Sequence, residues 1–254
     1  MKLRIFYELK LFFIALSFLT RIPSPSWVDY SPEFLNKSSR YFPLAGLVVG
    51  GVAAIVFLLA DMLFPQLIAV LLSMVVSVLL TGAFHEDGFA DLCDGFGGGW
   101  ETQQVLDIMK DSRLGTYGTV GLVLLLGLKA SSLTAMAVEW VAFSMLIAHG
   151  WSRLLAISFI VQYPYVRDAD ESKVKPLANE LSLKVFLVVG VVSMLPFLLW
   201  LDAGQCLLLL AVLIVFRSLF GRYLNKRIGG YTGDCLGAVQ QISEVLIYLV
   251  LLAC

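Results

Sequence analysis

The sequence is poor in charge. Only 15% of its 254 residues are Asp, Glu, Lys or Arg, where soluble domains carry about 25%. With 59% hydrophobic residues and a mean hydropathy of +0.87, the chain falls in the membrane class. Cysteine is scarce and scattered. Cys93, Cys206, Cys235 and Cys254 form no CxxC pair, which argues against a disulfide framework or a zinc site. Cys206 and Cys254 read as small apolar residues. Two histidines, His85 and His149, rule out a His-rich metal site. The net charge of -1 argues neither for nor against nucleic acid, and none is expected as a partner. No soluble domain and no internal repeat is visible, so residues 1–254 read as one integral membrane domain.

What is present is a series of apolar segments. They run over Phe42–Leu63, Leu67–Phe84, Thr119–Ala137, Trp140–Val161, Val185–Leu201, Cys206–Phe220 and Leu236–Cys254. Each is near the length of about 20 residues that crosses a bilayer. The expectation is an all-α polytopic bundle of about seven transmembrane helices over 42–254. Residues 1–41 precede it as an interfacial helix and a polar segment. The first apolar run, Leu11–Leu19, is too short to span, and Thr20-Arg21-Ile22-Pro23 offers no small-residue cleavage site.

Charge distribution orients this bundle. With the N-terminus in the cytoplasm, the N-terminal segment and the connections 85–118, 162–184 and 221–235 share one side. They hold 15 of the 18 Lys and Arg residues. The other three, Lys129, Arg153 and Arg217, lie within spans, and the short outer turns hold none. By the positive-inside rule, the polar, glycine-containing loops face the cytoplasm, and the chain sits in the cytoplasmic (inner) membrane. The lipid bilayer is its first partner; a homo-oligomer is left open.

One of these loops carries most of the acid. Thr81–Gly99 reads TGAFHEDGFADLCDGFGGG and places Glu86, Asp87, Asp91 and Asp94 directly after an apolar segment. Asp87, Asp91 and Asp94 are spaced i, i+4, i+7, so on a helix they point within about 60° of one another. Glu86 points roughly 100° away from Asp87 and is the weaker member. Carboxylates crowded beside hydrocarbon raise one another's proton affinity unless a cation compensates. Oxygen ligands without His or Cys suit Mg²⁺ or Mn²⁺ rather than zinc. The spacing alone leaves three readings open: a metal site, a solvated helix end, and an ion or proton path.

The other loops supply complementary chemistry. Lys110, Asp111, Arg113, Gly115, Thr116 and Gly118 lie in IMKDSRLGTYG, where Lys110 and Arg113 suit phosphate oxygens. Asp111 suits a metal shell or an ion pair with Arg113. The loop 162–184 has mixed charge and is assigned no chemistry, with Lys175-Pro176-Leu177-Ala178 as an undemonstrated lid. The last loop joins a basic cluster, Arg222, Lys226 and Arg227, to GGYTGDCLG, with Gly230, Thr232, Gly233 and Asp234 opening the final helix. Consecutive glycine amides can cradle an anion, and an acid there is also a good helix cap. Glu244, in the same final span, points toward the interior the other acids share. Lys129 and Arg153 are placed to neutralise such acids or to reach an interface. His85, beside the acids, suits a supporting or phosphate contact; His149 reads as a packed histidine.

Four blocks, in order, resemble the cobalamin synthase (adenosylcobinamide-GDP ribazoletransferase) family: Phe18-Leu-Thr-Arg21-Ile-Pro23, TGAFHEDGFADLCDG, IMKDSRLGTYG and GGYTGDCLGA. The resemblance implies a Mg²⁺-dependent membrane transferase of late cobalamin biosynthesis. Its substrates would be adenosylcobinamide-GDP and α-ribazole or α-ribazole 5′-phosphate, with GMP released. It implies metal ligation by Asp87 and Asp91, with Asp94, Asp111 and Asp234 as further candidates. Arg113, Lys110 and Arg21 would neutralise phosphate, and Asp94 would take the proton of the attacking ribose hydroxyl. Gly115, Thr116, Gly230, Thr232 and Gly233 would border the substrates. The aspartate spacing is also similar to that of CDP-alcohol phosphotransferases, without their Ala-Arg pair. The rival expectation is an ion-coupled transporter using the acidic cluster. Acids at span ends beside basic and glycine residues fit it less well than acids at mid-span would.

Overall fold

Runs of Leu, Val, Ile and Ala broken by glycine, proline and polar residues fold as helices, because in lipid the backbone must satisfy its hydrogen bonds within each segment. The computed structural model describes residues 2–111, 113–166 and 181–254. Among the described residues the regular elements are α-helices, apart from a 3₁₀ turn at Ser39–Tyr41. In chain order they are α1 (Lys2–Leu19), α2 (Pro32–Ser38), α3 (Phe42–Asp61), α4 (Gln66–Thr81), α5 (Phe84–Gly98) and α6 (Thr102–Lys110). There follow α7 (Thr116–Ala135), α8 (Val138–Gln162), α9 (Leu183–Leu198), α10 (Ala203–Ile228) and α11 (Gly233–Ala253).

All seven expected apolar segments are helical, but they are not seven equal spans. Five of the helical stretches are long and apolar enough to cross a membrane, and joining α4 to α5 as one bent span would make six. α9, with 16 residues, is shorter than a full span. α1 lies outside the spanning set. It buries Leu11, Ala15, Leu16 and Leu19. Its Glu8 accepts from Arg40 Nη2 at 2.7 Å and from the Tyr41 hydroxyl at 2.8 Å, which pins α1 to the start of α3.

α10 departs from expectation at its far end. The apolar run was expected to stop at Phe220, with a polar connection from 221. The helix instead continues to Ile228, because Leu224 and Ile228 extend its buried face, and Gly229 in the left-handed conformation ends it. Arg222, Lys226 and Arg227 therefore project from helix rather than from loop.

α8 and α11 form the interior and are mostly buried, while α10 is peripheral and mostly exposed. α3 packs along α8, and α11 packs against both α8 and α5. α5 reaches α11 because the chain turns by 88° between α4 and α5. Gly82 and Ala83 make that turn with φ of 68° and 59°, two successive left-handed residues. Glycine adopts this conformation freely; alanine does so at a cost of about 1–2 kcal/mol. The backbone N–H of Arg21 donates to Leu80 O at 2.7 Å beside the bend, and the Arg21 guanidinium lies against Gly82.

Candidate functional site

The acidic stretch forms α5, and its three aspartates meet three different surroundings. Asp87 is exposed, Asp91 half-buried and Asp94 buried. Burial of Asp94 is compensated from the neighbouring helix. Its Oδ2 accepts the Gly115 N–H at 2.7 Å and its Oδ1 accepts the Gly118 N–H at 2.8 Å. Gly115 is the N-cap residue of α7 and has no side chain with which to cap its own helix. Asp94 therefore caps α7 from another helix, where the unpaired amides and the helix dipole favour negative charge. A Cβ at Gly115 or Gly118 would overlap the Asp94 carboxylate, so both positions require glycine for this approach. The carboxylate has about four acceptor sites, and two remain for a proton or a cation.

Asp94 also floors an open cleft of about 700 Å³ between the end of α5, α6 and the start of α7. The cleft gathers Asp111, Arg113, Gly115 and Thr116 with Asp94, together with Gln104, Asp107 and Tyr117, which sequence reasoning did not single out. Gln104 and Asp107 lie three residues apart on α6, whose apolar Val105 and Met109 are buried, so an amphipathic reading of 102–110 would have found them. Of the two readings open for Asp111, the ion pair with Arg113 is present: Arg113 Nη2 lies 2.5 Å from Asp111 Oδ2 and Nε donates to the same carboxylate. That pair holds the Asp111 carboxyl below its ordinary range through the hydrogen bond and charge of Arg113. Lys110 is exposed at the end of α6.

α5 passes against the start of α11 at Gly88, the residue after Asp87. Gly88 and Gly237 let α5 and α11 cross closely. A Cβ on Gly88 would lie 2.9 Å from Asp234 Cα, and one on Gly237 would lie 3.1 Å from His85 O. Asp234 is thus brought beside the turn that carries Asp87. It is not the helix cap: Thr232, fully buried, is the N-cap of α11 and accepts the Cys235 N–H at 3.3 Å. Gly230 is packed against Pro164 O, and Tyr231 exchanges backbone hydrogen bonds with Pro164 and Val166 at 3.0 Å each, which fixes the glycine turn. Gly233 is half-exposed at the first position of α11. The lid at 175–178 and the mixed-charge residues 167–175 lie outside the described residues.

The expected neutralisation of buried acid is present between the spans. Lys129 Nζ of α7 lies 2.5 Å from Glu244 Oε1 of α11, with side-chain exposures of 3% and 0%. His149 Nε2 is 3.4 Å from the same oxygen. Arg153 donates to His149 O at 2.8 Å. Glu86 and His85, buried at the start of α5, turn toward this interior and away from the face of Asp87.

The predicted residues therefore gather along α5: Asp94, Asp111, Arg113, Gly115 and Thr116 border the cleft, and the backbone of Asp234 lies against Gly88, between Asp87 and Asp91 in the chain. Arg21 stands at the α4–α5 bend. Among the described residues, no three His, Cys, Asp or Glu side chains converge tightly enough to hold a metal ion unaided. The donors still suit Mg²⁺, which is commonly held by one or two carboxylates with substrate phosphate and water completing its shell. Asp87 and Asp91, one turn apart on α5, and Asp234, whose backbone lies against Gly88, are the carboxylates that could contribute to such a shell.

Comparison with known proteins gives consistent similarities. The family model described as cobalamin-5-phosphate synthase matches residues 11–252. A protein of Shewanella frigidimarina (strain NCIMB 400), named adenosylcobinamide-GDP ribazoletransferase, is 51% identical over 249 residues, 97% of this chain and 95% of that protein. Proteins of the same name from Shewanella amazonensis (strain ATCC BAA-1098 / SB2B) and Vibrio cholerae serotype O1 (strain ATCC 39541 / Classical Ogawa 395 / O395) are 49% and 46% identical. These cover 96% and 97% of this chain and 95% of each relative. No solved structure matches the chain.

Proposed function

The chain belongs to the cobalamin-5-phosphate synthase family, and from that premise we propose that it joins adenosylcobinamide-GDP to α-ribazole or α-ribazole 5′-phosphate and releases GMP. The observation that carries this reading is near full-length similarity to proteins of that name, at 46–51% identity. The gathering of acids, helix N-termini and cations around α5 supports it chemically.

In the proposed reaction, the ribose hydroxyl oxygen of the ribazole bonds to the phosphorus attached to cobinamide. The bond from that phosphorus to the oxygen of GMP breaks, and GMP leaves as a monoester. Asp94, flooring the cleft, takes the hydroxyl proton on one of its two unengaged acceptor sites. Arg21 at the bend, and Lys110 and Arg113 beside the cleft, neutralise phosphate oxygens. Gly115 and Thr116, beside Asp94 at the start of α7, border the substrates, and the N-terminus of α11 at Gly230, Thr232 and Gly233 favours anionic groups through its dipole. Mg²⁺ or Mn²⁺ at Asp87 and Asp91, with Asp234 or Asp111 alongside, would draw charge from the diphosphate. With the basic residues on the same side, the site is assigned to the cytoplasmic face of the inner membrane. That side is where the polar substrates would be found.

Purified wild-type protein, supplied with Mg²⁺, adenosylcobinamide-GDP and α-ribazole, is expected to release GMP in step with consumption of the corrinoid. A folded wild type that releases none with either form of the ribazole would sink the proposal.

A further inference from the structure

A buried chain of polar groups links the start of α5 to the centre of the bundle, and the transfer reaction proposed above does not use it. Glu244 lies eleven residues into α11, about 16 Å from its first residue. Its Oε1 meets Lys129 and accepts the Tyr248 hydroxyl at 3.1 Å, and its Oε2 accepts Gln240 Nε2 at 2.6 Å. Gln240 Oε1 in turn accepts Gln241 Nε2 at 2.9 Å, and the same nitrogen donates to Glu86 Oε1 of α5, also at 2.9 Å. Gln240 further donates to Ser152 Oγ of α8 at 3.1 Å. Four helices thus share one hydrogen-bonded chain.

Glu86 depends on its end of that chain. It is buried, its Oε2 has no hydrogen-bond partner, and Gln241 supplies the bond to Oε1. Beyond backbone packing of Gly88 and His85 against α11 and the edge of Phe18 on Phe84, the first turn of α5 has no capping side chain to fix it. Its N-cap position is Ala83, which provides no side-chain cap and is itself left-handed. Asp87 follows Glu86 directly, and Asp91 stands one turn on.

We infer that Gln241 is a positioning residue: through Glu86 it fixes the first turn of α5, and with it Asp87 and Asp91, to the Lys129–Glu244 centre. The inference rests on the proposal that this face of α5 serves the transfer reaction. Its physical basis is independent of the substrate. A buried carboxylate held by one amide follows that amide, and a displacement of 1 Å at a reacting centre can cost about 100-fold in rate.

The test compares Gln241→Met, which keeps the length of the side chain and removes its donor, with Glu86→Leu, which breaks the same link from α5. Tyr248→Phe serves as control, because it removes a bond to Glu244 without touching the path to α5. Amide hydrogen exchange over residues 87–94 is followed beside exchange in α3 and α8, and kcat is measured well below the melting temperature. For Gln241→Met and Glu86→Leu, α5 exchange is expected to rise about tenfold or more while α3 and α8 hold. The kcat of both is expected to fall at least tenfold, more than any rise in KM, with Tyr248→Phe like wild type. Wild-type α5 exchange in either link variant overturns the inference, as does loosened α5 with unchanged kcat. Should wild type prove inactive, the function reading fails and the exchange data alone decide whether the link holds α5.

Discussion

Removing the carboxylate of Asp94 should loosen α7 before it affects any chemistry. The two bonds to Gly115 and Gly118, at 2.7 and 2.8 Å, have an anionic acceptor. Hydrogen bonds to charged groups contribute about 1.5–3 kcal/mol each. The Gly115 amide is half-exposed and can turn to water, whereas Gly118 is buried and cannot. Asp94→Ala is therefore expected to cost about 2–4 kcal/mol rather than the full sum. Asp94→Asn keeps one acceptor but sets its NH₂ against the other amide, and should fall near the lower end. For a chain of this size the loss corresponds to about 5–10 °C in melting temperature. Thermal unfolding of the purified protein, followed by tryptophan fluorescence, measures it directly. The control is Asp107→Asn, an exposed acid of the same cleft that bonds only to Gln103 among the contacts described for its side chain. An Asp94→Ala protein that melts with wild type would refute the capping argument. A turnover loss in it would then have to come from chemistry alone.

Other outcomes follow from the same contacts. Gly118→Ala drives a Cβ into the Asp94 carboxylate and should lower the melting temperature, whereas Gly127→Ala, with nothing within 4 Å, should be neutral or slightly stabilising in the same melt. Thr232→Val removes the cap of α11 and should cost about 1 kcal/mol, while Thr232→Ser should restore it. Arg113→Ala breaks an exposed ion pair. Its melting temperature at high salt should match wild type, and its KM for adenosylcobinamide-GDP should rise. Because Arg113 depresses the Asp111 carboxyl, the pair's contribution is present above the ordinary carboxylate range. It is lost as pH falls through the depressed value, and an acid titration of stability at low salt should lose that component in Arg113→Ala.

The apolar segments were legible because length and hydropathy decide which stretches fold as helices beside lipid. The limits of α10 were less so: Arg222, Lys226 and Arg227 read as a loop, and only the buried Leu224 and Ile228 show that the helix continues. The bend before α5 showed in the sequence only as Gly82, since Ala83, its second left-handed residue, does not announce such a turn. The acids themselves were plain, and Lys129 was expected either to neutralise an acid or to reach an interface, but its pairing with Glu244 was not named. The partners of the acids were not plain. Asp94 meets Gly115 and Gly118 across 21 and 24 residues, and Glu86 meets Gln241 across 155. Local periodicity carries no information at such separations. Gln240 and Gln241 are neutral, so a search for charge in the spans passes over them.

Attachment of α-ribazole to the corrinoid is the direct measure of the central claim. Wild type, Asp87→Asn and Asp91→Asn are compared in equal folded amounts, with Mg²⁺ and both substrates, and the ligated corrinoid is counted by mass against GMP released. The expected result is one GMP per ligated corrinoid for wild type and a loss of at least 100-fold in both variants at unchanged melting temperature. Ligated product formed at wild-type rate by Asp87→Asn and Asp91→Asn would contradict the account of α5 as the reacting face.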